Sequence, residues 1–330
     1  MTITAKAEAP DRRRQIHRLG GDFQLKMARL VALSVNRDFT TALVLLALSR
    51  ANVRPIMESG ESVQQYGAAD AVPPDALRAP VTIYVLAREL GLPYETVRRH
   101  VSKLKAAGLC QGVEGGGVIV PGSTWDDPII VESVTECWRM AVGLVEEAAS
   151  FGIIAPGVHA PAGPEVARHV IRLAIIYFLD AMRIMADAAD LDMLSVLVLR
   201  MVAVGNVTRL THDPQLARDH SGLEDIPSDE HRVPVSAYAV SKFLLLPYET
   251  ARRILLRLAE LGLLERRGRS GLVVPASIVA QPAVVAGTVK LAALTEAFLV
   301  QLAEVGVVPG SRVPRQPVGP ACAGDLAVAS

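Results

Sequence analysis

The chain has 330 residues, with 34 basic and 34 acidic side chains, and 51% of its residues are hydrophobic. This length favours two domains, and the hydrophobic content suffices for real cores. The zero net charge gives no support to a general basic coat for nucleic acid, and the three widely separated cysteines argue against a disulfide framework or zinc knuckle and fit a reducing cytosol.

The two ends of the chain are expected to lie outside the folded part. Residues 1–19 contain basic side chains with no apolar segment after them, which predicts a flexible arm and not a secretory signal; the basic residues 12–14 are expected to be solvated. Residues 309–330 are rich in Pro, Gly and Ala and are expected to form a disordered tail. Apolar stretches are too short, or too interrupted by Arg and Asp, to cross a bilayer, so we expect a soluble cytoplasmic protein.

An internal duplication is the strongest signal in the sequence. Shifting the chain against itself by 154 residues aligns 80–121 with 234–275 without gaps, and 17 of the 42 positions are identical, including the pentapeptide LPYET. The same shift matches Asn52 with Asn206 and continues on both sides of the block. The chain therefore divides into a first half, 20–155, and a second half, 156–308.

Each half follows one order of segments: an apolar helix, a second apolar helix, a polar loop, the repeated block and a long closing helix. In the first half these segments are 23–35, 38–53, 57–79, 80–121 and 128–150. In the second half they are 170–186, 191–207, 211–233, 234–275 and 282–304. Only two short β segments per half interrupt the helices, so we predict a mainly α fold. Asn52 and Asn206 are interpreted as helix C-terminal caps.

The repeated block predicts a short helix, a sharp turn at Gly91, a second helix opened by Pro93 and stopped by Gly108, and a β-hairpin. On the second helix, one apolar stripe is expected to pack inward, made of Tyr94, Val97, Val101 and Leu104.

This order resembles the winged helix-turn-helix domains of bacterial transcription regulators, MarR- and GntR-like families among them. Ala87, Gly91 and Val97 match the small residue, turn glycine and buried aliphatic of such domains. The resemblance implies two homologous halves, each a winged helix-turn-helix with a small hairpin wing, flanked by apolar packing helices. It also implies double-stranded DNA as the partner. Two recognition helices about one DNA turn apart would make a monomeric pseudo-dimer, or the chain would form a homodimer.

The second helix and the hairpin are expected to carry the DNA contacts. In the first half the candidates are Tyr94, Glu95, Thr96, Arg98, Arg99, Ser102 and Lys103. In the second half they are Tyr248, Glu249, Thr250, Arg252, Arg253, Arg257, Arg266, Arg267 and Arg269. The first hairpin has no basic residue, so we expect the first copy to read bases mainly with its helix and the second to hold phosphates largely through its hairpin.

The copies also differ at the turn, where Leu245 replaces the glycine and Phe243 replaces Glu89. These apolar residues predict contact with another part of the protein or a distorted turn. They favour, as an alternative to transcriptional control, a protein-interaction scaffold built from winged helices; a plasmid-type replication initiator is a further alternative.

Other clusters give weaker signals. The second polar loop holds His212, His220 and His231 among carboxylates, but their spacing matches no compact metal motif, so a solvated acidic loop is preferred. No P-loop, GxGxxG, GxSxG or HExxH motif is present, so we expect no enzyme activity and no cofactor. The sequence leaves open whether a small-molecule effector binds.

Overall fold

The computed structural model describes residues 10–35, 38–68, 70–154, 160–268 and 271–312. It contains 69% helix and 4% strand, which confirms the mainly α prediction. The helices of the first half are α1 (Arg13–Ser34), α2 (Phe39–Met57), α3 (Gly60–Gln65), α4 (Ile83–Leu90), α5 (Tyr94–Ala106) and α6 (Pro128–Ser150). Those of the second half are α7 (Ala167–Ala189), α8 (Met193–Asn206), α9 (Thr208–His212), α10 (Pro214–Asp219), α11 (Ala237–Leu244), α12 (Tyr248–Glu260), α13 (Ala276–Val279) and α14 (Pro282–Glu304).

Two small antiparallel sheets accompany the helices. Hairpin 1 joins β1 (Gln111–Gly112) to β2 (Val118–Ile119), and Val81 adds a single bridge to Val118. The second sheet has the order β3-β5-β4, with β3 (Val235–Ser236) beside hairpin 2, which is formed by β4 (Glu265–Arg267) and β5 (Gly271–Val273). Both hairpins follow directly after the helices that carry the candidate contacts.

Corresponding helices of the two halves begin with the same type of residue. Asp38 caps α2 by accepting a hydrogen bond from the Thr41 N–H, and Asp192 caps α8 by accepting from the N–H groups of Leu194 and Ser195. Pro128 and Pro282 each occupy the first turn of a 23-residue helix, α6 and α14, where the missing N–H costs nothing. The second apolar helix and the closing helix of both halves therefore begin for the same physical reasons.

The long helices of the two halves pack against one another. Helices α1 and α7 each contact both closing helices, α6 and α14. In addition, α1 lies on α8, and α7 lies on α2, so the first helix of each half covers the second helix of the other. Apolar faces that a single half would leave exposed are thereby buried, which supplies the main stabilising contribution to this arrangement.

Three aromatic rings mark the centre of this core. Tyr177 stacks on Phe298 with ring centroids 4.5 Å apart, and Phe23 lies 5.3 Å from Phe298. The Tyr177 hydroxyl exchanges a 2.9 Å hydrogen bond with Thr295 and accepts another from Gln24. Gly20 on α1 permits this approach, because a Cβ there would lie 2.4 Å from Thr295 Oγ1 and 2.5 Å from the Tyr177 hydroxyl oxygen.

The expectation of a flexible arm at 1–19 is wrong from residue 13 onward. Helix α1 begins at Arg13, and Arg14 and Arg18 are buried because the first turn of α1 docks on the second polar loop, where the Arg14 N–H donates to Ser221 O at 3.0 Å. The expected solvation of residues 12–14 therefore fails for Arg14. Residues 1–9, and residues 313–330 of the expected tail, lie outside the described part of the chain.

Within the described ranges, α14 is long and apolar enough to cross a membrane by length and composition, with a mean hydropathy of 1.7. Helices α1 and α2, whose axes differ by 98°, are together also long and apolar enough. Since α14 packs along both α1 and α7, this composition is weak evidence for a membrane span.

Candidate nucleic-acid interface

The turns before α5 and α12 have the same geometry although their residues differ. Gly91 takes the left-handed conformation with φ 63° and ψ 28°, and Leu245 takes it with φ 59° and ψ 28°. The predicted distortion of the second turn is therefore wrong, and Leu245 instead accepts a conformation that costs a non-glycine residue about 1–2 kcal/mol. Pro93 and Pro247 stand one residue before the helices, as N-terminal caps, not at the first helical position.

The residues beside each turn hold it against the other half of the chain. Arg29 of α1 donates to Phe243 O at 2.7 Å and lies 5.7 Å from the Phe243 ring centroid, so the predicted contact of Phe243 with another part of the protein is confirmed. At the matching place in the first half, Glu89 binds Arg50, which also donates to Asp180 of α7 at 2.6 Å. An ion-pair network thus docks the first turn, and a hydrogen bond together with a cation–π contact docks the second.

The inward stripe of α5 is correct for three of its four residues. Val97, Val101 and Leu104 are buried, but Tyr94 is 51% exposed, and its counterpart Tyr248 is 48% exposed. The prediction that Tyr94 packs inward is wrong because it is the first helical residue and projects beyond the helices that cover the stripe. Its exposure places both tyrosines on the outer surface with the other candidates.

The outward side of α5 presents a mixed set of free and paired cations. Arg98 makes a forked pair with Glu95, donating at 2.7 and 2.6 Å, and Arg99 is exposed with no hydrogen-bond partner among the described residues. Lys103 is tied to Asp38 at 2.8 Å, which makes it part of the packing of α5 on α2. Ser102 is exposed, whereas Thr96 is half-buried.

These pairs set the local charge. The hydrogen bonds from Arg98 lower the pKa of Glu95, so this carboxylate stays ionised beside the cations. Burial opposes ionisation of Asp38, but hydrogen bonds from Lys103 and Thr41 outweigh it and lower its pKa. Burial also opposes the charged form of His100, and it therefore lowers the pKa of this histidine, whose Nδ1 lies 2.7 Å from Thr41 Oγ1. His100 is therefore neutral near pH 7 and adds no positive charge to this face.

On α12 the corresponding side is less polar. Arg252 pairs with Glu249 at 3.1 Å, as Arg98 does with Glu95, and Arg253 and Arg257 are exposed. Thr250 is half-buried, like Thr96. Leu256 is 37% exposed at the position that Ser102 occupies in α5, so an apolar side chain interrupts the cationic face of α12.

The described part of hairpin 2 carries one exposed arginine and one paired arginine. Arg266 is exposed on β4, but Arg267 donates at 3.0 Å to both the backbone oxygen and the carboxylate of Asp229, which also pairs with Arg232. Arg267 therefore ties the hairpin to the polar loop, and its side chain remains 37% exposed. Arg269 lies outside the described residues.

Each hairpin is fastened by a buried asparagine. The Asn52 amide donates to Ala79 O at 2.7 Å and Val118 O at 3.2 Å, and its oxygen accepts from the Val120 N–H at 2.8 Å. Asn206 repeats all three bonds with Val233, Leu272 and Val274. The interpretation of these asparagines as helix caps is wrong: both are fully buried and satisfy strand and loop backbone groups that no helix can pair.

Two exposed tyrosines were missed at the sequence level. Tyr84, at the second position of α4, is 66% exposed, and its counterpart Tyr238 on α11 is 63% exposed. Together with Tyr94 and Tyr248, they place two tyrosines at the helix starts of each copy. The recurrence of tyrosine at matching positions in both blocks was the available signal, since a phenol combines an apolar ring with a polar hydroxyl and suits an interface.

The histidines of the second polar loop do not form one group, since His220 and His231 have ring centroids 5.8 Å apart whereas His212 contacts Glu147. His212 Nδ1 lies 2.7 Å from Glu147, which raises the pKa of His212, and His231 bonds to Ser228 at 3.0 Å. The described part of the chain contains no group of three or more His, Cys, Asp or Glu side chains that could hold a metal ion.

No known family, curated protein or solved structure matches this chain.

Proposed function

We propose that the protein is a DNA-binding transcription regulator of the cytoplasm in which residues 80–121 and 234–275 act as two winged helix-turn-helix modules of one pseudo-dimeric chain. The observation that carries the proposal is the recurrence, at matching positions, of a tight left-handed turn followed by a helix with an exposed arginine pair. These pairs are Arg98 with Arg99 and Arg252 with Arg253. Exposed arginines at the start of such a helix suit phosphate contact and bidentate contact with guanine.

The tyrosines at the helix starts extend the same surface. Tyr84 precedes the turn and Tyr94 follows it, and both side chains are more than half exposed. A phenol hydroxyl at a helix N-terminus can donate to a phosphate oxygen, and the helix dipole there favours the negative charge. Each proposed module would thus contact one stretch of DNA backbone through two aromatic hydroxyls and the bases through its arginines.

The test is binding to a pool of random duplex DNA, followed by fluorescence anisotropy on the sequences recovered. We expect saturable binding whose affinity falls with salt, with a logarithmic slope of about −0.9 for each phosphate contact. Arg99→Ala and Arg253→Ala remove cations at matching positions, and each should weaken binding by about 1–3 kcal/mol if its helix contacts DNA. Arg54→Ala removes another exposed arginine, from α2, and serves as the control. Absence of duplex binding at about 50 mM salt, where electrostatic contacts are strong, would refute the proposal.

A protein-docking role for the second module is the alternative that the surface favours. Leu256 and Leu261 are 37% and 54% exposed on and just after α12, where the first copy has Ser102 and Ala107. Exposed leucines flanking a proposed DNA-contacting helix suit an apolar protein surface better than a phosphate backbone. The double variant Leu256→Ser, Leu261→Ala introduces the residues found at the matching positions on and just after α5. Loss of a crosslinked protein partner with unchanged DNA affinity would support docking, and weakened DNA affinity would support DNA contact through α12.

A further inference from the structure

A cavity between the two halves is lined by buried arginines. It has a volume of about 70 Å³ and lies between the start of α1, helix α8 and the end of the second polar loop. Four arginine residues, each no more than 6% exposed, line it: Arg14, Arg18, Arg200 and Arg232. No carboxylate residue lines the cavity among the described residues.

All four arginines donate to backbone carbonyls, and two of them are held in place by carbonyls alone. Arg14 donates to Gly222 O at 3.2 Å, and Arg18 donates to His220 O at 2.7 Å and Ala217 O at 3.2 Å. These contacts fix the direction of the guanidinium planes, but a carbonyl carries only a partial charge.

The other two arginines each donate to one side chain as well as to a backbone carbonyl. Arg200 donates to His17 Nε2 at 2.5 Å and to His17 O at 3.1 Å, and Arg232 donates to Asp229 at 3.0 Å. In the described ranges, Arg232 is the one lining arginine with a carboxylate within ion-pair distance. The carboxylates of Asp225, Glu224 and Asp11 act on Arg14 only from further away.

Donor atoms remain unused inside this cavity wall. The Nε atoms of Arg18 and Arg200 are buried and have no hydrogen-bond partner in the described structure. Burial lowers the pKa of both arginines to about 10, and burial followed by the charge of Arg200 lowers the pKa of His17 well below its ordinary value. The arginines are therefore charged at neutral pH while His17 is neutral. Buried charge without a counter-charge is strongly unfavourable, so this wall is suited to a bound anion.

The duplication provides a comparison within the same chain. Arg168, Arg172 and Arg78 stand at the positions matching Arg14, Arg18 and Arg232, around a matching pocket of about 10 Å³. There, Trp125 occupies the position that corresponds to Val279 and lies 5.5 Å from the Arg168 guanidinium. A large aromatic ring therefore fills the space that is open at the second site.

Two substitutions further distinguish the sites. Arg200 and His17 are replaced by Leu46 and Ile171 at the first site. Gly21 on α1 makes room for Arg200, since a Cβ there would lie 2.6 Å from its Nη2. The three-arginine frame is thus common to both sites, whereas the additional cation and the open volume belong to one site alone.

We propose that this cavity binds a small oxyanion, the chemistry shared by a phosphate group and the carboxylate of a small metabolite. Arginine guanidinium groups donate in a planar fork that fits two oxygens at once, and several converging forks would enclose one anionic group. The apolar part of the wall, formed by Val204, Val207 and Val279, leaves space for a short hydrocarbon body beside it. The proposal is independent of DNA binding.

The test is isothermal titration calorimetry of the full chain with inorganic phosphate and, separately, with acetate, at ionic strength matched by chloride. Arg200→Leu introduces the residue that the fold already accepts at the matching position, and Arg54→Leu is the control that removes an exposed arginine. We expect saturable binding of one or both anions to the wild type and the control, with a rise in the unfolding temperature. Arg200→Leu should bind at least tenfold more weakly.

A second variant provides an independent test if Arg200→Leu fails to fold. His17→Ile also introduces the residue of the matching site and removes the acceptor that orients Arg200, so it should weaken anion binding in the same direction. Binding of phosphate alone identifies a phosphate group, and binding of acetate alone identifies a carboxylate. No saturation of the wild type by either anion up to about 10 mM, ten times a dissociation constant of about 1 mM, would overturn the proposal. Unchanged affinity in a folded Arg200→Leu or His17→Ile protein would also overturn it.

Discussion

The buried asparagines make a prediction that the geometry quantifies. Asn52→Leu keeps a similar side-chain volume but removes three hydrogen bonds, leaving the Ala79 carbonyl and the Val120 N–H without this partner, while the Val118 carbonyl keeps its bond from the Val81 N–H at 3.2 Å. A net contribution of about 1 kcal/mol per bond gives a loss of about 3 kcal/mol, and desolvated groups left unpaired would increase it. The free energy of unfolding should fall by at least this amount, measured by urea denaturation followed by circular dichroism.

The duplication supplies a second, matched measurement. Asn206→Leu removes the same three bonds in the other half and should cost the same amount. Since the two asparagines share no partner, the double variant should lose about 6 kcal/mol, the sum of the single losses. Gln301→Leu, an amide-to-leucine change on the exposed side of α14, should stay within about 0.5 kcal/mol. A loss below about 1 kcal/mol in either single variant would refute the claim that these bonds fasten the hairpins.

Three further predictions concern acid stability, close packing and the proposed DNA face. Burial lowers the pKa of His169 to about 4, so the contribution of neutral His169 to the free energy of unfolding is present above pH 6.5 and is lost as pH falls toward 4. When the free energy of unfolding is measured over a pH series, His169→Gln should remove up to about 3 kcal/mol of that loss. A pH profile unchanged by His169→Gln would contradict the burial argument. Gly20→Ala should destabilise the protein by about 1–3 kcal/mol, because its new methyl group would meet the hydroxyl groups of Thr295 and Tyr177. Gly143→Ala has nothing within 4 Å of the new methyl group and should stabilise the protein by up to about 1 kcal/mol. Equal changes in unfolding temperature for the two variants would disprove the close approach of α1 to α7 and α14 at Gly20. Under the proposed function, Glu95→Gln frees Arg98 and should raise DNA affinity severalfold at low salt. Glu249→Gln frees Arg252 and should do the same if α12 contacts DNA. Anisotropy titrations that show no gain in affinity for either variant would count against DNA contact by both helices.

The sequence predicts the order of elements well because the repeat doubles every local signal. The helix starts, the apolar stripe and the hairpin positions are local features, and a shift of 154 residues makes each of them visible twice. The left-handed turn at Gly91 follows from glycine itself, but the same turn at Leu245 does not. There, tertiary packing around Phe243 and Arg29 imposes a conformation that leucine does not favour on its own.

Long-range partners are what the sequence could not supply. Arg14 is read locally as one of a run of solvated basic residues, yet it is buried by a loop more than 200 residues further along the chain. Arg267 is read as a phosphate ligand, yet Asp229 already binds it. In both cases the residue type was recognised and its partner was not, since pairing between distant segments depends on how the halves pack.

Comparison of the two copies separates structural from functional residues. The asparagines that fasten the hairpins and the three arginines of each inter-half site are identical in both copies, which is expected where both halves need the same framework. Differences occur both at the outer face, where Ser102 corresponds to Leu256, and in the cavity, where Leu46 corresponds to Arg200. A framework residue that changed would destabilise its half, whereas a residue facing a ligand can change without that cost. The two surfaces are therefore expected to bind unequally: α5 has the more polar, cationic face for DNA, and the second-half cavity is the site with room and charge for an anion.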